Sequence, residues 1–174
     1  MIRPLISVCI ATYNGEKFIV EQLKTILSQL TDFDEIIISD DHSSDCTLSL
    51  IRSFRDPRIK IYLNENDKGY TSNFENALKK ATGEIIFIAD QDDIWKKDKV
   101  DISLNYLKKY DFIVSDACII DNSGNFMFES YIKQRNSYVS FWESEIGDTW
   151  IHGITTDPLK VSQFRRLMLL KEKY

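Results

Sequence analysis

Six glycines and three prolines in 174 residues are too few for a disordered linker or a fibrous chain. The three cysteines, Cys9, Cys46 and Cys118, are odd in number and far apart. No pair has the spacing of a zinc knuckle, so reduced thiols are the plain reading. Histidine is rarer still: His42 and His152 stand without a partner at metal-ligand spacing and receive no catalytic role. No apolar stretch approaches the about 20 residues that cross a bilayer. Pro4 to Ala11, after Arg3, faintly resembles a signal peptide but is too short, and it runs into the turn-like Thr12-Tyr13-Asn14-Gly15. A cytoplasmic protein is expected. Basic charge is also in deficit: 22 Lys and Arg face 27 Asp and Glu, a net charge of −5. That balance argues against a nucleic-acid binder, which needs a basic face to displace counterions. It leaves a nucleotide ligand open, because a metal can neutralise a diphosphate locally.

What is present is an ordinary globular composition, 43% hydrophobic and 28% charged, in a chain of single-domain size. Apolar runs of strand length alternate with helical periodicity through the first two-thirds. Strands are expected near residues 5–11, 35–39, 58–63 and 84–89, with a fifth, short one at 112–115. Helices are expected near 16–30, after a cap at Ser44 or Asp45, near 72–81 with Thr82-Gly83 ending it, and at 98–110. A hairpin is expected around 122–124. The alternation implies an α/β fold, a mostly parallel sheet with helices on both faces. Ligands bind such sheets at the carboxyl ends of the strands. Here those ends carry Thr12-Tyr13-Asn14, Asp40-Asp41, Asp67-Lys68-Gly69 and Asp90-Gln91-Asp92-Asp93, a rim dominated by carboxylates.

Three carboxylates on one short loop repel each other, and a hard divalent cation resolves the conflict. The competing reading is a helix N-terminus decorated with Asp, favoured by the helix dipole. At Asp40-Asp41 a carboxylate can accept the imide N–H of uracil or thymine; the competing reading is an Asx turn and helix cap. Two such pairs at neighbouring strand ends weigh more together than either alone.

Taken in order, Ser7 to Gly15, Ile36 to Asp45 and Ala89-Asp90-Gln91-Asp92-Asp93-Ile94-Trp95 resemble the family 2 glycosyltransferases of GT-A fold, over roughly residues 5–120. The Asp-Gln-Asp-Asp-Ile-Trp form is similar to the rhamnosyltransferase-like subgroup that builds cell-surface polysaccharides. The resemblance implies transfer of a sugar, with inversion, from a UDP- or dTDP-sugar to a polysaccharide or lipid-linked acceptor, with Mg²⁺ or Mn²⁺ as cofactor. It implies that Ala11, Thr12 and Tyr13 border base and ribose, and that Asp41 reads the pyrimidine. Lys68, Gly69 and Asn73 would lie near diphosphate or sugar. Asp90 would face the ribose or a metal-bound water, and Asp92 would ligate the metal. Trp95 would wall the sugar pocket or, equally, pack at a helix start.

The resemblance divides the chain into a nucleotide-sugar-binding core at 1–120 and an incomplete or atypical acceptor-side segment at 121–174. The family's general base usually lies in a longer second half. Gly147-Asp148-Thr149-Trp150 offers Asp148 as base; the rivals are an ordinary turn or a shortened chain, which would bind donor but transfer sugar weakly. The basic, apolar 164–173 segment suits either a terminal helix packed on the domain or contact with the inner face of an anionic membrane. A phospho-receiver domain is excluded, because the third strand leads to Asn64-Glu65-Asn66 rather than a phosphorylatable Asp. A sugar nucleotidylyltransferase is disfavoured, because Thr12-Tyr13-Asn14-Gly15 is no glycine-rich phosphate loop.

Overall fold

A computed structural model describes residues 3–65, 67–110, 112–121 and 124–129. The chain divides into two compact units, the first being Met1–Ile102 and the second beginning at Ser103. In the first, β1 (Ile6–Thr12), β2 (Glu35–Asp40), β3 (Ile59–Leu63) and β4 (Ile85–Asp90) form one parallel sheet in the order β3-β2-β1-β4. The helices α1 (Ile19–Leu27), α2 (Thr47–Ser53) and α3 (Tyr70–Leu78) connect them in turn, and α4 (Lys99–Tyr106) follows β4.

The two central strands are apolar on both faces because both faces are covered. Val8, Ile10, Ile36 and Ile38 are fully buried, as are Ile19, Leu23 and Ile26 of α1 and Ile51 of α2. On the other face Cys9, Ile37 and Ala77 of α3 form a second cluster with Tyr62 and Ile86 at its margin. Right-handed crossovers account for this division: β1-α1-β2-α2-β3 steps one way along the sheet, and β3-α3-β4 steps back across it. Each buried isoleucine contributes about 1.5–3 kcal/mol relative to exposure.

Several boundaries differ from those expected. The cap of α2 falls at Cys46, but Asp45 still takes both the Thr47 N–H and its hydroxyl on Oδ1. Helix α3 begins two residues earlier than the periodicity suggests and ends at Leu78, so Gly83 does not terminate it. Gly83 instead lies against β1. Its N–H donates to Ser7 Oγ at 2.7 Å, and a Cβ there would stand 2.5 Å from the Ser7 backbone nitrogen. Glycine is required by close approach, not by a turn. Residues 112–115 form no strand, since they join no hydrogen-bonded ladder. In the second unit β5 (Ile119–Ile120) pairs antiparallel with β6 (Phe126–Phe128), as the expected hairpin requires.

Candidate functional site

In a parallel sheet all carboxyl ends emerge at one edge, so register decides which side chains meet there. Thr12 lies opposite Asp40, and Ala11 opposite Asp90. A cleft of about 510 Å³ opens at this edge, lined by Ala11, Thr12, Tyr13, Asp41, Lys68, Gly69, Tyr70, Asn73, Phe74, Asp90, Gln91 and Asp92.

Asp40, which ends β2, and Asp41, which follows it, have different partners. Asp40 is wholly buried and accepts Thr12 Oγ1, the Ser43 N–H and Ser43 Oγ, the turn-forming role expected of such a pair. Asp41 lies in the cleft and is 7% exposed. Its Oδ1 accepts Asn64 Nδ2 at 3.0 Å, and its Oδ2 accepts the Gly69 N–H at 2.9 Å. Gly69 has φ of 135°, a conformation other residues rarely adopt. Each carboxylate oxygen retains a second lone pair for a ligand donor. Asn73 is 2% exposed and donates through Nδ2 to the Thr12 carbonyl.

The β1–α1 loop is held by side chains from both neighbours. The Tyr13 N–H donates to Gln91 Oε1, Asn14 to Ser43 Oγ, Gly15 to Thr47 Oγ1 and Glu16 to Asp45 Oδ2. Four successive amides are thereby occupied. They cannot serve as the phosphate nest that a glycine-rich loop supplies.

Asp90 and Asp92 both line the cleft. Burial, and then the charge of Asp92, raise the Asp90 carboxyl above its ordinary range. Desolvation and the Asp90 and Asp92 charges push Asp93 up to about 6, against the pull of Lys99. Among the described residues no three His, Cys, Asp or Glu side chains converge as a metal cluster. Of the three carboxylates lining the cleft, Asp41 follows β2, whereas Asp90 and Asp92 stand two residues apart at the end of β4. The competing helix-terminus reading is corrected: β4 ends at Asp90 and α4 starts only at Lys99, so these aspartates decorate no helix.

The model of glycosyl transferase family 2 matches residues 7–169. The chain belongs to this family. Among curated relatives, the UDP-Glc:alpha-D-GlcNAc-diphosphoundecaprenol beta-1,3-glucosyltransferase WfgD of Escherichia coli is 34% identical over 121 residues, 68% of this chain and 48% of its own. Among solved structures, S. aureus TarS 1-349 in complex with UDP-GlcNAc has a TM-score of 0.56 at 30% identity, covering 64% of this chain and 32% of that one. The mannosyltransferase PcManGT of Pyrobaculum calidifontis, in complex with GDP-Man and Mn2+, has a TM-score of 0.59 at 27% identity, covering 70% and 37%. The chain spans about half the length of the first curated relatives it matches, or less.

In this family 2 chain the cleft collects every binding or metal residue expected from sequence except Trp95. Trp95 is 5% exposed, stacks at a tilt on Phe87 with ring centroids 5.4 Å apart, and carries Lys99 Nζ over its face at 5.4 Å. It packs, and not at a helix start. His42, like Asp41, turns towards Asn64, with Nε2 2.9 Å from the Asn64 carbonyl oxygen. Asp148 and residues 164–173 lie outside the described residues. Among the described residues, no helix is long and apolar enough to cross a membrane. Sequence reading missed Tyr70, Phe74 and Gln91 as cleft residues. The start of α3 explains the first two, since a helix beginning at Tyr70 presents both. Only Gln91 lay inside a motif already singled out.

Proposed function

We propose that the chain is the donor-binding part of an inverting, metal-dependent glycosyltransferase that moves a sugar from a UDP- or dTDP-sugar to a polysaccharide or lipid-linked acceptor. The observation that carries this is the single cleft joining Thr12, Tyr13 and Asp41 to Asp90 and Asp92. Relatives named for UDP-Glc donors and undecaprenol-linked acceptors support the substrate class. A rhamnosyltransferase-like subgroup is supported by the Asp90-to-Trp95 motif alone. The core is taken as residues 1–120, with 121–174 on the acceptor side.

Each residue has a defined task. Tyr13 and the Ala11-Thr12 strand end border base and ribose, while Asp41, already oriented by Asn64 and Gly69, accepts the pyrimidine imide N–H. Lys68 brings a cation to the diphosphate side, and Asn73 holds the Thr12 carbonyl. Asp92 would ligate a divalent cation directly, and Asp90 would face the ribose or a metal-bound water. When bound, a divalent cation there supplies Lewis-acid stabilisation of the charge growing on the leaving diphosphate. The acceptor hydroxyl attacks the anomeric carbon opposite the breaking C–O bond and must give up its proton to a base. Asp148 is this chain's candidate for that base, and residues 164–173 for contact with a membrane holding a lipid-linked acceptor.

Calorimetry with UDP, dTDP, CDP, GDP and their sugars, with and without Mn²⁺, tests the reading. Tight, Mn²⁺-dependent binding of UDP or dTDP is expected; no nucleotide binding at all would refute it. Acceptor-dependent sugar transfer that collapses in Asp148→Asn would assign the base.

A further inference from the structure

Gln91 stands between the two proposed metal-side carboxylates, yet its amide reaches the end of β1. Oε1 accepts the Tyr13 N–H at 3.0 Å, and Nε2 donates to the Tyr13 carbonyl at 3.1 Å. This reciprocal pair fixes which end of the amide is which, since a flip would set N–H against N–H and oxygen against oxygen. The amide also fills the space over Gly15, where a Cβ would lie 2.6 Å from Gln91 Cδ. The next three amides of the loop, at Asn14, Gly15 and Glu16, are anchored on the opposite side, to Ser43, Thr47 and Asp45. Thr12 and Tyr13 therefore hang between β2, through several bonds, and β4, through Gln91.

We infer that Gln91 is a positioning residue that couples the nucleoside side of the cleft to its metal side. Clipped to Tyr13, the 90–92 loop keeps Asp90 and Asp92 at a set distance from the Thr12–Tyr13 wall. One donor molecule then meets its nucleoside contacts and its metal contacts together. The inference rests on the proposed donor site. It also accounts for two residue choices in one step. A carboxamide is needed because both a donor and an acceptor are used, and glycine at position 15 leaves the space in which the amide lies.

The test measures UDP affinity of the 174-residue chain with and without Mn²⁺, hydrogen exchange at the Tyr13 amide, and the thermal midpoint. In Gln91→Ala the Tyr13 amide should exchange faster while the midpoint stays near wild type. The factor by which Mn²⁺ tightens UDP should fall about tenfold, as when a residue orienting a metal ligand is lost, with metal-free UDP affinity little changed. Gly15→Ala should reproduce this loss by expelling the amide, and adding Gln91→Ala to it should cost nothing more. Unchanged Mn²⁺ tightening in Gln91→Ala would overturn the inference. So would a lowered midpoint with UDP affinity falling equally with and without metal, which would make the residue merely structural. A wild-type chain indifferent to Mn²⁺ would instead remove the donor-site reading, and the inference with it.

Discussion

Asp92 and Asp93 are adjacent, yet only Asp92 lines the cleft. Asp92→Ala is therefore expected to abolish Mn²⁺-dependent UDP binding, because the diphosphate charge loses its counter-ion. Asp93→Ala should leave most of it, since that carboxyl does not line the cleft. Calorimetry on the two variants decides between them, and equal affinity in wild type and Asp92→Ala would remove Asp92 from the metal site. Asp41 makes a second, separate prediction. Its carboxylate can only accept, so it should favour bases with an imide N–H. UDP and dTDP should bind better than CDP by about 1–3 kcal/mol, the cost of leaving a buried partner unpaired. Indistinguishable affinities for the three would free Asp41 of this role.

Among the elements, β2 depends on a buried acid at its start. Burial pushes the Glu35 carboxyl up, but Lys60 at 2.6 Å, Ser7 Oγ and the Thr82 amide and hydroxyl outweigh it and hold it at about 2. The folded value lies below the ordinary 4.5, so the unfolded chain binds the proton more readily. The stabilisation is fully present above pH 4.5 and is lost as pH falls from there towards 2. Glu35→Gln should lower stability at neutral pH by about 1–3 kcal/mol. It should also flatten the acid limb of the stability curve in that window. Urea unfolding at pH 7 and pH 3 checks both, and an unchanged slope with pH would show that Glu35 is not the group responsible.

Across the whole molecule, a ligand bound only by the folded chain must stabilise it. At UDP near 100 times its dissociation constant, with Mn²⁺ present, the gain is about 2.7 kcal/mol. For a chain of this size that raises the melting midpoint by several degrees. Chelating the metal with EDTA should return the midpoint towards the apo value, while GDP should shift it less than UDP. An EDTA-insensitive shift would mean that the nucleotide binds without metal. Cys9 does not complicate such measurements with thiol chemistry, because burial and the Glu35 charge push its thiol up to about 12.

Apolar runs at 5–11, 35–39, 58–63 and 84–89 were enough to specify four strands and the helices between them. Such patterns are local, and both faces of a parallel sheet demand them. The carboxylates at the strand ends were legible for the same reason: solvation alone gives no cause to crowd them beside a hydrophobic strand. Other features depended on contacts between residues distant in sequence. Gly83 looks like a helix terminator until β1 is seen pressing on it, and Trp95 suits a pocket wall and plain packing equally until Phe87 is seen beneath it. The Asp40-Asp41 pair divides into a turn anchor and a cleft carboxylate only once the fold has given each its own partners. Gln91 reads as a spacer between two acids, and its hold on Tyr13 exists only because β1 and β4 are neighbours in the sheet. Strand order is a non-local property, and no local periodicity encodes it.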